Sequence, residues 1–330
     1  MTSRFARFGN ALYSGERSLN FVGWGRFWFF VAAAMMIISV VIPVAKGGFN
    51  FGIEFRGGSQ FQVSEVANPK QDVATKAVAS VAPEEVAKVS VVGSDGVRVQ
   101  TDQLSDAQTK LIADALAVGY KVPASNVTHT FIGPTWGADV SKQAIVGLVV
   151  FLVLALIIMA FYFRTWKMSL AAILSLIHDL VVTAGVYALT GFEITPAALI
   201  GFLTILAYSL YDTVVVFDKI KENTAEEAVL LRHTFAESVN LAVNQTLVRS
   251  INTGVVAVLP VGTILFVGAY VLGADTLRDI SLALLIGIIL GTYSTIFIAA
   301  PLYAWFRQGE PEIRKHDAAT LKARSAAAKV

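Results

Sequence analysis

The sequence predicts a polytopic α-helical membrane protein, with six transmembrane helices and one small α+β domain between the first helix and the second. Hydrophobic residues make up 55% of the 330 residues and charged residues 15%, whereas a soluble domain typically carries about 25% charged residues. The apolar residues are concentrated in six runs, each long enough to span a bilayer. One long hydrophilic segment separates the first run from the other five.

The same composition excludes several classes of function. The net charge of +2 is too small to indicate a nucleic-acid partner, and the absence of cysteine excludes disulfides, thiolate metal sites and cysteine catalysis. The four histidines lie in separate segments, and the chain contains no glycine-rich nucleotide-binding loop. We therefore predict a protein that is not an enzyme and that binds no metal or organic cofactor.

The chain begins with a polar, basic segment, residues 1–26, which we interpret as a cytoplasmic tail that could lie on the membrane surface. Residues 27–45 form the first predicted transmembrane helix. In residues 46–139, strand-like stretches alternate with helical stretches, which is typical of a small α+β domain. The strands are expected at 59–66, 86–92, 96–101 and 126–132, and the helices at 69–81 and 105–118.

Residues 140–306 hold the other predicted transmembrane helices, at 140–163, 168–189, 195–219, 247–272 and 277–306. Residues 223–236 have helical periodicity and are predicted to form a connecting helix. Lysine and arginine cluster at those helix ends that lie on the side of the N-terminal arginines, and basic residues favour the cytoplasmic side. We therefore expect both termini in the cytoplasm, the α+β domain in the periplasm, and residues 307–330 as a disordered or surface-bound cytoplasmic tail.

Asp212 is the least expected residue of the fourth predicted helix, because its carboxylate lies among apolar residues below the bilayer surface. A charge at that depth costs roughly 2.5–3.5 kcal/mol on insertion scales, so an intramembrane acid is a candidate functional residue. Thr204 and Tyr208 precede Asp212 at intervals of four residues and Ser209 precedes it by three, which predicts one polar helix face. A hydrogen-bonded Asp212 that only supports helix packing is the alternative.

The fifth predicted helix carries a second polar face, formed by Gln245, Arg249, Asn252 and Thr253. Intramembrane charges pair with opposite charges or line wet cavities, which makes Arg249 the candidate partner of Asp212. The alternative is that Arg249 only extends to the cytoplasmic surface.

The third predicted helix contains a second ionisable pair, His178 and Asp179. Histidine titrates near neutral pH, so this pair could relay protons, and a hydrogen-bonded packing pair is an equal alternative. In the sixth predicted helix, Gly287 and Gly291, followed by several hydroxyl residues, indicate close helix packing.

Four motifs in chain order resemble those of the SecF family, the smaller membrane subunits of the bacterial SecD–SecF protein-export complex, within the resistance-nodulation-division superfamily. Residues 208–223, YSLYDTVVVFDKIKEN, are similar to the family's fourth-helix signature, although Tyr211 stands where Asn is commoner. Residues 244–253 and 285–294 match the fifth- and sixth-helix patterns.

The remaining motif, GIEFRGG, is the first of the four along the chain. It follows the first predicted helix and is similar to the family's GIDFxGG sequence. Its motif positions are Gly52, Glu54, Gly57 and Gly58. Glu54 replaces the usual Asp and preserves the charge.

The resemblance implies an accessory subunit of the Sec translocase, which couples proton flow to late-stage export of polypeptides across the bacterial inner membrane. It implies proton-conducting roles for Asp212 and Arg249, with protons as the coupling ion. The implied partners are SecD as a heterodimer, the SecYEG channel, the translocating polypeptide and membrane lipid, with YajC and YidC as further candidates. Two alternatives stay open: a small-molecule/proton antiporter subunit of the same superfamily, and a non-transporting scaffold for membrane assembly.

Overall fold

A computed structural model describes residues 4–225, 232–271 and 274–327. Six of the described helices are long and apolar enough to cross a membrane, which confirms the predicted fold class. They begin with α2 (Gly25–Ala45), α6 (Pro134–Phe163), α7 (Trp166–Thr190), α8 (Pro196–Ala225) and α9 (Phe235–Phe266). The sixth is α10 (Asp275–Ser294), which continues through a π-helical turn (Thr295–Ala299) into α11 (Ala300–Arg307).

Helix α9 begins twelve residues earlier than the predicted span at 247–272, because Thr234 caps it. The Thr234 hydroxyl accepts from the Glu237 backbone N–H, and the Glu237 carboxylate accepts from the Thr234 N–H at 2.8 Å. A π-helical turn, Val267–Val271, follows α9. Of the predicted connecting helix, residues 223–225 instead end α8, residues 235–236 open α9, and residues 226–231 lie outside the described residues.

The predicted close packing of the sixth helix is confirmed. A Cβ atom added at Gly291 would lie 2.9 Å from the Ser209 Cβ, and one added at Gly287 would collide with the Ile205 side chain. The small residues of α10 thus bring its backbone against α8. Helices α7, α8 and α10 therefore form the centre of the bundle, whereas α2 and α6 leave most of their apolar surface exposed.

The hydrophilic segment forms a four-stranded antiparallel sheet in the order β2-β3-β1-β4, with two helices on one face. The strands are β1 (Gly58–Val63), β2 (Lys88–Val92), β3 (Gly96–Thr101) and β4 (Val127–Ile132), and each overlaps a predicted strand. The covering helices are α4 (Gln71–Val81) and α5 (Asp106–Tyr120), and a short helix α3 (Ile53–Arg56) precedes β1. Alternation along each strand puts valine and phenylalanine toward these helices and Gln60, Gln62 and Arg98 toward the membrane bundle.

The first and the last described helices both pack against α9. Helix α1 (Arg4–Tyr13) packs there through Leu12, which is fully buried. The Asn240 side chain of α9 accepts from the backbone N–H of Phe21 at 2.8 Å, and Asn244 does the same for Leu19 at 2.8 Å. The amides of α9 therefore hold the N-terminal segment in place.

Of the two states predicted for the C-terminal tail, disordered or surface-bound, disorder is wrong over Pro311–Ala327, which form the helix α12. Asp317 accepts from the Phe235 backbone N–H at 2.7 Å, and Arg324 forms a 2.6 Å ion pair with Glu237. These contacts satisfy groups at the N-terminus of α9. The tail is rich in alanine, lysine and arginine, which suggested disorder. The contacts that order it are made to a different helix, so its own composition does not reveal them.

Candidate functional site

Asp212 lies inside the helix bundle, where only 4% of its surface is exposed. Its Oδ1 accepts a hydrogen bond from the Ser250 hydroxyl of α9 at 2.9 Å. Its Oδ2 is buried and has no hydrogen-bond partner among the described residues. A buried carboxylate with so little compensation is costly in its charged form.

The structure does not bring Asp212 and Arg249 into contact. Arg249 is exposed, and no ion pair of 4.0 Å or less joins it to Asp212 within the described residues. Ser250 is the next residue of α9, and successive helix residues point about 100° apart. Because Ser250 faces Asp212, Arg249 lies on the neighbouring side of α9, where its charge still acts on the Asp212 carboxylate without forming an ion pair.

The remaining residues of the predicted α9 face also lie outside the Asp212 site. Gln245 accepts from the Asn223 side chain at 2.8 Å, so it joins α9 to the end of α8. Asn252 is exposed, and the Thr253 hydroxyl donates to the Arg249 carbonyl at 2.8 Å.

The predicted polar face of α8 divides between the surface and the core. Thr204 is exposed and its hydroxyl donates to the Ile200 carbonyl at 2.7 Å, while Tyr208 is half-buried. Ser209 and Asp212 both point into the bundle. A four-residue step turns a helix by about 40° beyond a full turn, so Thr204 and Asp212 are separated by about 80°.

Asp179 of α7 is completely buried and joins three helices. Its Oδ2 accepts from the Ser209 hydroxyl of α8 at 2.7 Å and from the Ser294 hydroxyl of α10 at 2.7 Å. Its Oδ1 lies 3.2 Å from Nδ1 of His178. Ser250 and Ser294 were not predicted as site residues: Ser250 lies in a stretch of α9 whose amides and Arg249 drew the prediction, and Ser294 lies among hydroxyl residues that were interpreted as packing groups.

The loop between α7 and α8 connects the bundle to the sheet. The Glu193 carboxylate in this loop lies 2.7 Å from Nζ of Lys88 and 3.6 Å from the Arg98 guanidinium, and it accepts from Gln100 at 3.2 Å. The loop also joins the two helices that carry Asp179 and Asp212. The sequence placed Glu193 in a short connection and indicated no role for it.

Backbone pairing reinforces this junction. The Ile194 N–H donates to the Asn50 carbonyl at 2.8 Å, and the Gly52 N–H donates to the Ile194 carbonyl at 3.0 Å. The segment that leaves α2 is therefore bonded to the loop that enters α8.

Gly57 and Gly58 of the GIEFRGG motif are required by the backbone. Gly57 and Gly58 have φ values of 78° and 134°, which side-chain-bearing residues rarely adopt. Gly58 also approaches the Thr101 carbonyl so closely that a Cβ atom would collide with it. At Gly52, a Cβ atom would collide with the Glu54 carboxylate. The motif thus turns the chain from the bundle into β1.

We expect Gly58→Ala to destabilise the α+β domain by about 2–4 kcal/mol, because it adds a backbone collision to the strain of a positive φ. Gly48→Ala is the matched control: Gly48 has a φ of 126° but has open space around its Cβ position. Amide hydrogen exchange of β1 and β3 measures the difference. An equal increase of exchange in the two variants would show that the positive φ, and not the collision with Thr101, causes the destabilisation.

A cleft of about 550 Å³ separates the polar sheet face from the helix ends and is lined by Glu54, Arg98, Thr195 and Asp279, among others. The Thr195 hydroxyl donates to Asp279 at 2.8 Å. Burial raises the pKa of Glu54 above its ordinary value, and the nearby Glu193 and Asp279 carboxylates raise this pKa further against the opposing effects of a backbone hydrogen bond and of Arg98. The Glu54 carboxyl group therefore keeps its proton to a higher pH than an exposed glutamate does.

We expect Glu54→Gln to stabilise the protein at neutral pH and to flatten the pH dependence of its stability. The folded state holds the Glu54 proton at pH values where the unfolded chain has released it, so wild-type stability falls as pH rises from 4.5 to the raised pKa. The Tm at pH 7 should rise by about 2–4 °C for each kcal/mol of penalty removed. Thermal unfolding across this range, with the exposed Glu84→Gln as control, tests this; parallel wild-type and Glu54→Gln profiles would contradict it.

Comparison with known proteins identifies the family. Residues 113–309 match the family model described as protein export membrane protein SecD/SecF, C-terminal, and residues 44–64 match the SecD/SecF GG motif. The chain is 42% identical over 313 residues to the protein translocase subunit SecF of Streptomyces coelicolor, covering 94% of this chain and 83% of that one. It is 40% identical over 332 residues to the SecF of Mycobacterium tuberculosis, covering 96% and 74%.

A solved structure agrees with this assignment. The crystal structure of SecDF, a translocon-associated membrane protein from Thermus thermophilus, matches with a TM-score of 0.77 at 30% sequence identity. The match covers 88% of this chain but 39% of that one, so this chain spans the smaller part of the fused protein. The chain therefore belongs to the SecF family of protein translocase subunits, multi-pass membrane proteins of the resistance-nodulation-division superfamily.

Proposed function

We propose that this chain is an accessory subunit of the Sec translocase that couples proton movement through its helix bundle to late-stage export of polypeptides. The observation that carries the proposal is the Asp212 carboxylate, buried among α8 and α9 with one hydroxyl partner and with Oδ2 unpartnered among the described residues. Burying the neutral form of such a carboxyl group costs less free energy than burying the charged form, so Asp212 takes up a proton readily in this state of the bundle.

Protons supply enough free energy to move the bundle between two states. One proton gains about 2.3 kcal/mol per 100 mV of membrane potential and about 1.4 kcal/mol per pH unit. In the proposed cycle, Asp212 is protonated from the exported side and releases its proton toward the cytoplasm. Arg249 approaches the ionised Asp212 in a second state, in which α9 has turned so that Arg249 replaces Ser250.

The loop between α7 and α8 supports coupling to the α+β domain. A shift of α8 that accompanies protonation moves Glu193, and Glu193 is held by Lys88 and Arg98 of the sheet. Because the same loop is also paired with Asn50 and Gly52, the domain follows α8 as one unit. Proton uptake in the membrane is thereby converted into tilting of the domain.

We propose the bacterial inner membrane as the location, with both termini in the cytoplasm and the α+β domain in the periplasm, on the basis of the positive charges at the helix ends. SecD is the proposed partner, since a Thermus thermophilus relative named protein translocase subunit SecDF is 32% identical to this chain over only 38% of its own length. A second chain would supply the remainder. The SecYEG channel, YajC and YidC complete the proposed assembly.

Reconstitution tests this function. The chain is placed in vesicles with SecD and SecYEG, and release of a polypeptide stalled late in export is measured with and without a pH gradient. We expect the gradient to accelerate release and a protonophore to remove the acceleration. Equal release without a gradient would favour a scaffold, and proton flux that requires an added small molecule would favour an antiporter.

A further inference from the structure

We propose that His178 and Asp179 form a second proton-binding site in the bundle, which takes up its proton on Nε2 of His178. The site is separate from the Asp212 carboxylate and has its own hydroxyl partners. The evidence that this pair binds a proton is its geometry. Its role in coupling proton movement to export rests on the proposed function.

The Asp179 carboxylate is built to be ionised. Two hydroxyl groups, from Ser209 and Ser294, donate to its Oδ2 at 2.7 Å each. Hydrogen bonds donated to the charged form stabilise that form. Among the described residues, no lysine or arginine lies within 4.0 Å of Asp179, so hydroxyl groups and the histidine provide the stabilisation.

The ionised Asp179 determines the tautomer of His178. Nδ1 of His178 lies 3.2 Å from Oδ1 of Asp179, so a proton on Nδ1 donates to the carboxylate. Nε2 then carries the lone pair. The imidazole is 2% exposed, and its Nε2 is buried without a hydrogen-bond partner among the described residues.

Proton uptake at Nε2 forms an imidazolium ion next to the carboxylate. The pair changes from a net charge of −1 to 0, with one proton gained and no bond between heavy atoms made or broken. A neutral ion pair is cheaper to bury than a single uncompensated charge. The bundle therefore favours uptake while Asp179 remains ionised.

The groups around His178 are suited to this change. The Tyr293 ring of α10 lies 6.3 Å from the imidazole, and the Trp28 ring of α2 lies 6.5 Å from Tyr293. The Tyr293 hydroxyl and the Trp28 Nε1 are themselves buried without partners among the described residues. No hydrogen bond joins Nε2 to the Tyr293 hydroxyl among the described residues, so Tyr293 accepts from a protonated Nε2 only after a small shift of the two rings.

Helix α8 links the second site to the first. Ser209, which donates to Asp179, precedes Asp212 by three residues, a rise of about 4.5 Å along α8. The titratable groups that α8 and α10 contribute around the pair are Asp212, Tyr208 and Tyr293, whereas Trp28 of α2 does not titrate.

Nitrogen NMR of the four histidines in the purified full-length chain tests the proposal, with His178 assigned by its loss in His178→Gln. We expect the Nδ1–H tautomer at high pH and the imidazolium at low pH. Asp179→Asn should lower the proton affinity of His178 at least tenfold, because it removes the negative charge next to Nδ1. His129, exposed on β4, should titrate identically in all variants.

A His178 that remains neutral in one tautomer across the folded range of pH would overturn the proposal, and so would an unchanged affinity in Asp179→Asn. If that variant does not fold, Ser294→Ala replaces it. In the protonated pair, loss of one hydroxyl donor should move the shared proton from Nδ1 of the imidazolium to Asp179, which leaves a neutral Nε2–H imidazole beside a neutral carboxyl group; an unchanged imidazolium at the same pH would also overturn the proposal.

The two proposals fail separately. Normal gradient-driven release by Asp212→Asn, with His178 titrating as expected, would refute the proposed function and leave this site in place. Gradient-driven release by the wild-type protein, together with a His178 that does not titrate, would support the proposed function and refute the second proton-binding site.

Discussion

Asp212→Asn is expected to reduce gradient-driven export to the rate measured without a gradient, while the protein still folds and inserts. Asparagine has nearly the shape of aspartate and can accept the same hydrogen bond from Ser250, so stability should change by about 1 kcal/mol or less. It cannot gain or lose a proton. Release of a stalled polypeptide in vesicles, measured beside thermal unfolding, separates the two effects.

Asp218→Asn is the matched control for this change. Asp218 lies six residues further along α8, is exposed, and accepts from the Tyr162 hydroxyl at 3.1 Å. The same chemical substitution there should leave gradient-driven export unchanged. Wild-type export by Asp212→Asn, or an equal loss in both variants, would refute the assignment of the coupling proton to Asp212.

Glu193→Ala is expected to detach the α+β domain from the movements of the bundle. Arg98 is 5% exposed and loses the carboxylate of Glu193 but keeps the nearby charges of Asp279 and Glu54, so the cost stays below the roughly 3–5 kcal/mol of a buried charge left uncompensated. This loss destabilises the contact between the α7–α8 loop and the sheet, so this contact opens more often. The amides of Gly52 and Ile194 should therefore exchange about 100-fold faster. Hydrogen exchange with mass spectrometry measures this.

Export by Glu193→Ala should fall although His178 and Asp212 still titrate, because the break lies between proton binding and the domain. Glu84→Ala removes an exposed acid of the same domain and should leave both exchange and export unchanged. Protected Gly52 and Ile194 amides in Glu193→Ala would show that backbone pairing alone holds the junction.

Features that depend on local sequence were predictable. The alternation of strands and helices in the α+β domain follows from short periodic stretches, and each predicted strand overlaps an observed one. The close approach of Gly287 and Gly291 follows from small residues in an apolar helix. The C-terminal helix was not predictable, since the Asp317 and Arg324 contacts that hold it involve residues about 80 positions away.

The candidate site shows the same division. The sequence singled out Asp212 and the His178–Asp179 pair as candidates, because burying an ionisable residue in a bilayer costs free energy, and the structure places all three side chains inside the bundle. The sequence could not choose their partners. Ser250 rather than Arg249 meets Asp212 because α9 is rotated about its axis by its packing, and a rotation of one residue exchanges the two.

By itself, the sequence determined the membrane-spanning helices, the interposed domain and the positions of the costly charges, since these depend on composition and on periods of two and 3.6 residues. The tertiary structure alone decided which polar groups meet. Asp179 receives hydroxyl groups from α8 and α10, and Glu193 receives cations from the sheet, through contacts between distant parts of the chain. Those contacts depend on helix rotation and register, which side-chain packing determines only after the whole bundle has assembled.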